Sequence, residues 1–159
     1  MPKTKRYYIA YGSNLHVSQM RFRCPEARII GTGMLENWEL LFKGSKTGSY
    51  LTIEPKLGSK VPIVLWEVTE QDERYLDRYE GYPRFYYKKD LTVFVKGIRS
   101  GKLRRRDAFV YIMHEERPIG IPSMHYVKTC AEGYHSFGFD LIYLQNAYER
   151  SKEAYYENN

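Results

Sequence analysis

The stretch YYIAYGSNL, Tyr7–Leu15, decides the fold because it joins a strand to a helix through a glycine. Residues 7–11 are aromatic and β-branched, a composition that predicts a β-strand. Residues 12–14 break this strand, and the spaced apolar side chains of residues 15–23 predict a helix. The first element of the domain is therefore a strand that turns sharply into a helix.

The rest of the chain mixes further strands with helices in no regular alternation. A capping box at residues 69–72 starts a helix, and Gly81 ends it. Residues 123–136 and 140–156 predict two more helices. The predicted strands are 29–30, 38–42, 50–53, 61–68, 91–96 and 108–113. This order predicts an α+β domain with a mostly antiparallel, curved sheet that closes into a small β-barrel.

Composition limits the class of protein. The 159 residues suit one domain, 1–159 with a core at about 6–150, and 43% hydrophobic residues exclude a disordered chain. No apolar run reaches the roughly 18 residues of a membrane helix, and no apolar segment follows the basic residues 1–6. Cys24 and Cys130 form no CxxC pair, and the histidines lack metal-ligand spacing. We therefore expect a cytoplasmic protein with no metal site.

The turn after the first strand is a candidate anion site. Consecutive backbone N–H groups of Gly12, Ser13, Asn14 and Leu15 at a helix start can hold a carboxylate or an oxyanion. Gly12 would let a ligand approach the backbone closely. The alternative is an ordinary capped turn, which is the commoner meaning of so short a motif.

Glu80 is the candidate acid–base residue. It lies at the C-terminal end of the capped helix, where the helix dipole opposes a negative charge. Tyr79 and Tyr82 are expected to desolvate it, and both effects raise the pKa of a carboxyl group. Such a carboxylate can accept and return a proton near neutral pH. The alternatives are a solvated surface glutamate or a weaker carboxylate pair with Asp77.

Three other features have simpler explanations. The basic run between Arg99 and Arg106 could bind phosphate backbones, but a solvated hairpin end is favoured. Ser13 lacks the G-x-S-x-G elbow of a serine nucleophile. Cys24 has arginine neighbours that could activate it, although an inert buried thiol is favoured.

Three blocks together resemble the γ-glutamylcyclotransferase-like family. They occur in the expected order and span Tyr7 to about Tyr148, nearly the whole chain. The blocks are Tyr11–Leu15, then Leu76–Pro83 followed by Tyr86, then Pro122–Tyr126 followed by Gly133-Tyr134 and Gly138–Asp140.

The resemblance implies a small mixed barrel with flanking helices and a cavity at one end. It implies an enzyme that cyclises a γ-glutamyl amide to 5-oxoproline and releases an amine or amino acid, without metal or cofactor. Glu80 would be the catalytic proton shuttle, and the turn from Tyr11 to Leu15 would bind the substrate. Tyr126 and Tyr86, the latter preferred to Tyr87, would supply hydroxyl contacts.

Alternatives stay open at this level. The same fold could bind a γ-glutamyl or amino-acid-like ligand without catalysis, and nucleic-acid binding through Arg99–Arg106 is the less favoured choice. The expected partner is a small γ-glutamyl substrate, with neither nucleic acid nor membrane. The leaving amine and the oligomeric state are not indicated. Pro62-Ile63 stands where such proteins commonly have a glycine, which affects the packing of that strand.

Overall fold

The computed structural model describes residues 5–45 and 48–157, so most of the N-terminal segment used to exclude a leader lies outside the described residues. No helix in these two ranges is both long and apolar enough to cross a membrane. The elements are β1 (Lys5–Ala10), a 3₁₀ turn (Ser13–Leu15), α1 (Val17–Arg23), β2 (Arg28–Lys43), β3 (Tyr50–Thr69), α2 (Glu70–Glu80), β4 (Tyr86–Gly97), β5 (Leu103–Met113), α3 (Met124–Ser136) and α4 (Ile142–Glu157).

The five strands form a closed barrel in the order β1-β3-β2-β4-β5. Every neighbouring pair is antiparallel except β1 and β5, which run parallel and close the barrel where Tyr8 pairs with Phe109. The predicted α+β fold with a mostly antiparallel barrel is confirmed. β2 pairs with β4 only at Gly31, Thr32 and Gly33, so the rest of this long strand pairs with no described strand other than β3.

The division of β2 and β3 into short strands was wrong. Each is one long strand, and Gly31 and Gly33 lie inside β2 rather than between elements. A β-carbon at Gly33 would lie 2.5 Å from the carbonyl oxygen of Phe94, and one at Gly31 would collide with that of Lys96. These glycines therefore allow β2 to approach β4 closely, which is the other common role of glycine in a strand.

The capping box of α2 forms as predicted. The Thr69 hydroxyl accepts from the Asp72 N–H at 3.1 Å, and the Asp72 carboxylate accepts from the Thr69 N–H at 3.2 Å. Gly81 ends the helix with a φ of 64°, a left-handed conformation that favours glycine. Both ends of α2 are thus fixed locally, which sets the position of its last residue, Glu80.

Helix α3 packs directly against the turn that follows β1. A β-carbon at Gly133 would lie 2.7 Å from the carbonyl carbon of Leu15 and 2.9 Å from the backbone nitrogen of His16. Only glycine permits this approach of helix and turn. The turn is therefore held between the barrel and α3.

Candidate active site

A cavity of about 440 Å³ lies where the turn after β1, the end of α2 and the start of α3 meet the barrel. Tyrosine is its most frequent residue, and Glu80 is its only carboxylate among the described residues. It is lined by Tyr8, Tyr11, Gly12, Ser13, Asn14, Tyr50, Leu51, Arg78, Tyr79, Glu80, Gly81, Phe85, Tyr86, Tyr111 and Tyr126.

Of the predicted site residues, Leu15 alone does not line this cavity. It is fully buried in the hydrophobic core, and its N–H donates to the Gly12 carbonyl at 3.0 Å. The 3₁₀ geometry of the turn makes this hydrogen bond and so removes the Leu15 donor. The expectation that its N–H faces a ligand was wrong.

Pro62 and Ile63 lie within β3, and Pro62 is paired with Met34 away from the cavity.

The turn still offers backbone donors. The hydrogen bonds of the described residues include none from the N–H groups of Gly12, Ser13 or Asn14. A β-carbon at Gly12 would lie 3.4 Å from both Leu51 and the Tyr126 hydroxyl, two groups of the cavity wall. Glycine here therefore keeps this part of the cavity open.

Glu80 is the last residue of α2, and its Oε1 accepts from the Asn14 Nδ2 at 3.4 Å. Burial of the carboxyl raises the pKa of Glu80 to about 7, against an opposing effect of the Arg23 charge. The carboxyl has no ion-pair partner among residues 5–45 and 48–157. A carboxylate in this state exchanges a proton near neutral pH.

Asn14 is held firmly in front of Glu80. Its Nδ2 also donates to the Tyr8 hydroxyl at 2.8 Å, and its Oδ1 accepts from Arg23. The Arg23 guanidinium in turn lies 3.4 Å from the centre of the Tyr79 ring. Both ends of the Asn14 amide are thus fixed, and its orientation toward Glu80 follows from this network.

Tyr86 and Tyr126 hold one wall of the cavity through the backbone of Leu51. The Tyr86 hydroxyl donates to the Leu51 carbonyl at 2.8 Å, and the Tyr126 hydroxyl accepts from the Leu51 N–H at 3.1 Å. Burial raises the pKa of both hydroxyls well above the usual value, so they stay protonated at neutral pH. Tyr87 lies outside the cavity and donates to Glu115.

Other expectations about this region need correction. Of the two tyrosines expected beside Glu80, Tyr79 lines the cavity and Tyr82 does not. Asp77 makes no pair with Glu80; it lies 2.8 Å from the Lys88 ammonium and accepts from the Tyr111 hydroxyl at 2.6 Å.

Burial raises the pKa of the Cys24 thiol to about 12, in agreement with an inert thiol.

Sequence reasoning missed the lining residues supplied by other strands. Tyr8, Leu51 and Tyr111 come from β1, β3 and β5, and only barrel closure brings them together. The sixteen tyrosines were the one available signal, since this residue suits a polar-lined cavity. Among the described residues, no cluster of three or more histidine, cysteine, aspartate or glutamate side chains could hold a metal ion.

Comparison with known proteins agrees with this barrel and cavity. The human protein named gamma-glutamylcyclotransferase is 29% identical over 146 residues, which cover 87% of this chain and 74% of the human one. The bovine protein of the same name is 29% identical over 144 residues, 86% of this chain and 73% of its own. A solved structure named gamma-glutamyl cyclotransferase superposes with a TM-score of 0.78 at 24% identity, covering 91% of this chain and 86% of that one.

These relatives and the barrel define an enzyme of the γ-glutamylcyclotransferase type. The family model described as "Gamma-glutamyl cyclotransferase, AIG2-like" matches residues 8–128. The chain belongs to this family, and the family resemblance seen in the three sequence blocks is confirmed.

Proposed function

We propose that this enzyme converts a γ-glutamyl amide into 5-oxoproline and a free amine, with Glu80 as the proton shuttle. The α-amino nitrogen of the substrate attacks its own side-chain carbonyl carbon, a five-membered lactam closes, and the bond to the leaving amine breaks. Because both reacting groups belong to one molecule, the enzyme mainly has to hold the folded substrate conformer.

The turn after β1 is the proposed binding site for the anionic part of the substrate. The N–H groups of Gly12, Ser13 and Asn14 would hold the α-carboxylate or the oxyanion that develops on the attacked carbonyl. The protonated hydroxyls around the cavity would exclude bulk water and limit the orientations of the substrate. The buried side chains of Tyr86 and Tyr126 contribute by fixing Leu51 in the wall.

Glu80 would carry the proton in both halves of the reaction. The substrate amine arrives as an ammonium, and the Glu80 carboxylate removes one proton so that the nitrogen lone pair can attack. The resulting carboxylic acid then returns that proton to the leaving nitrogen as the carbon–nitrogen bond breaks. The ring nitrogen still carries one proton too many, and the Glu80 carboxylate passes it to the released amine, which departs as an ammonium. The starting state of Glu80 is restored, and no oxidant, reductant or cofactor enters the balance.

One observation carries the proposal: Glu80, with a pKa raised to about 7, lines the same cavity as Gly12, Ser13 and Asn14, whose N–H groups donate no hydrogen bond within the described residues. A pKa near the working pH is the value expected of a group that must both accept and donate a proton. The Asn14 amide, 3.4 Å from the carboxyl, links these two parts of the site.

The test is 5-oxoproline release by Glu80→Gln from a panel of γ-glutamyl compounds that differ in the leaving amine. We expect turnover to fall by at least about 100-fold, the usual effect of losing an acid–base group. Glu70→Gln, on the exposed first turn of the same helix, is the matched control and should retain activity. Lactam release by Glu80→Gln at the wild-type rate would refute the shuttle, and the best substrate of the panel would identify the leaving amine.

A further inference from the structure

A second cavity of about 440 Å³ lies on another part of the barrel and shares no lining residue with the first. It is formed by α1, the start of β2, Trp66 of β3, the end of β4, the start of β5 and the turn between β4 and β5. Its polar side is dominated by five arginines, and its apolar side includes Ile29, Trp66 and Val95. The arginines are Arg21, Arg28, Arg99, Arg104 and Arg106.

Within the described part of the chain, no ion pair neutralises these five positive charges. None of the lining residues is an aspartate or a glutamate, and none of the five arginines takes part in an ion pair of residues 5–45 and 48–157. Glu67 lies opposite Arg28 in the register of β2 and β3. Its carboxylate forms its ion pair with the Lys5 ammonium instead, at 3.4 Å. Like charges gathered in one concavity repel one another, and a bound anion relieves this repulsion.

Two buried donors of the same cavity have no acceptor. Trp66 is 1% exposed, and its indole Nε1–H has no hydrogen-bond partner among the described residues; the same holds for the buried Nε of Arg106. More than about 90% of buried polar groups in proteins are hydrogen-bonded, so both atoms are exceptions. Neither is exposed to the cavity, so the groups that can reach a ligand are the exposed guanidinium groups.

The strand geometry explains which arginines of the basic run belong to the cavity. Successive side chains of a strand point to opposite faces. Arg104 is paired with the buried Val95 and lines the cavity, whereas Arg105 is paired with Phe94, which is 58% exposed. Arg104 and Arg105 are both exposed, as expected of a solvated hairpin end. Three arginines of the run nevertheless line the concave site, Arg99, Arg104 and Arg106.

We propose that this arginine-lined cavity binds a phosphate-bearing small molecule of about mononucleotide size. The guanidinium groups would hold the phosphate, since arginine recognises this group by charge-assisted hydrogen bonds. The apolar side would accept a ring or an apolar portion. The volume lies in the range of about 300–1,000 Å³ typical of small-molecule sites.

Isothermal titration at low ionic strength tests this site with adenosine 5′-monophosphate, inorganic phosphate and a short single-stranded oligonucleotide as probes. We expect wild type to bind the mononucleotide more tightly than phosphate alone. Arg106→Gln should weaken mononucleotide binding by about 10-fold or more, as expected for a lost charge-assisted contact.

Arg105→Gln is the matched control because it removes the same charge from the neighbouring position outside the cavity. It should change mononucleotide affinity by less than about 2-fold, apart from the general effect of net charge. Lactam release by each variant serves as a folding control, since the two cavities share no residue. Equal losses for Arg105→Gln and Arg106→Gln, no binding of either small probe, or binding of the oligonucleotide alone would each overturn the proposal.

Discussion

Glu80 and Asp77 lie three residues apart on α2, yet their carboxyl groups have opposite surroundings. Asp77 contacts the Lys88 ammonium at 2.8 Å and accepts from the Tyr111 hydroxyl, and Glu73 on the same helix contacts both Lys88 and Arg6. Glu80 has no such cation and faces the cavity. The paired carboxylates anchor the helix to the barrel, and the unpaired one is left available for chemistry.

Lys88 is the cation that contacts both paired carboxylates of α2, those of Glu73 and Asp77. Desolvation alone would lower the pKa of Lys88, but its hydrogen bonds to Asp77 and Glu73 raise it overall. The ammonium also lies 4.5 Å from the centre of the Tyr82 ring. One lysine on β4 thus determines where the last turn of α2 lies on the barrel.

Removal of this cation should give the largest loss of stability. Lys88→Met leaves Glu73 with Arg6 alone and Asp77 without an ion pair, and we expect unfolding free energy to fall by about 3 kcal/mol, the low end for a partly buried pair. Urea unfolding measures it. Lys89→Met, an exposed neighbour, should cost less than about 0.5 kcal/mol. Similar losses of unfolding free energy in the two variants would show that the ion pairs of Lys88 do not anchor α2.

Glu80 should make stability depend on pH in the direction opposite to a paired carboxylate. Its pKa is about 7 in the folded state against a usual value of 4.5, so the folded protein binds more protons between these values. Stability should therefore fall as pH rises from 4.5 to 7, by an amount on the order of 2 kcal/mol. Glu80→Gln should remove this part of the pH dependence in urea unfolding. An identical dependence in wild type and variant would place the carboxyl in water.

The smallest expected effect concerns the Tyr111 hydroxyl. Tyr111→Phe removes the hydrogen bond of 2.6 Å to Asp77 but leaves the Lys88 pair, and we expect a loss of about 1 kcal/mol in unfolding free energy. Because α2 then keeps its main anchor, lactam release should fall only slightly. A loss of activity as large as that of Glu80→Gln would mean that Tyr111 takes part in the reaction.

Local signals predicted the ends of α2 well, and with them the position of Glu80. The capping residues Thr69 and Asp72 and the glycine at 81 act through neighbours in sequence, so their geometry follows from the chain itself. The glycines of β2 were misread because their role depends on the backbone of β4, which lies far away in sequence.

The candidate site was predictable only where one short segment supplies the residues. The turn at 12–14 and Glu80 were found in this way, whereas Tyr8 and Tyr111 meet only through the parallel contact that closes the barrel. The arginine-lined cavity was missed for the same reason. Its basic run was visible, but Arg21 and Arg28, which complete the cavity, come from α1 and β2.

The pH dependence of kcat/KM for lactam release by the wild-type enzyme tests the central claim most directly. If Glu80 must be ionised to take the substrate proton, the rate should rise tenfold per pH unit on the acid side and level off near an apparent pKa of about 7. A profile that is flat between pH 5 and 8 would contradict the account, because such a carboxyl would be an ordinary solvated acid.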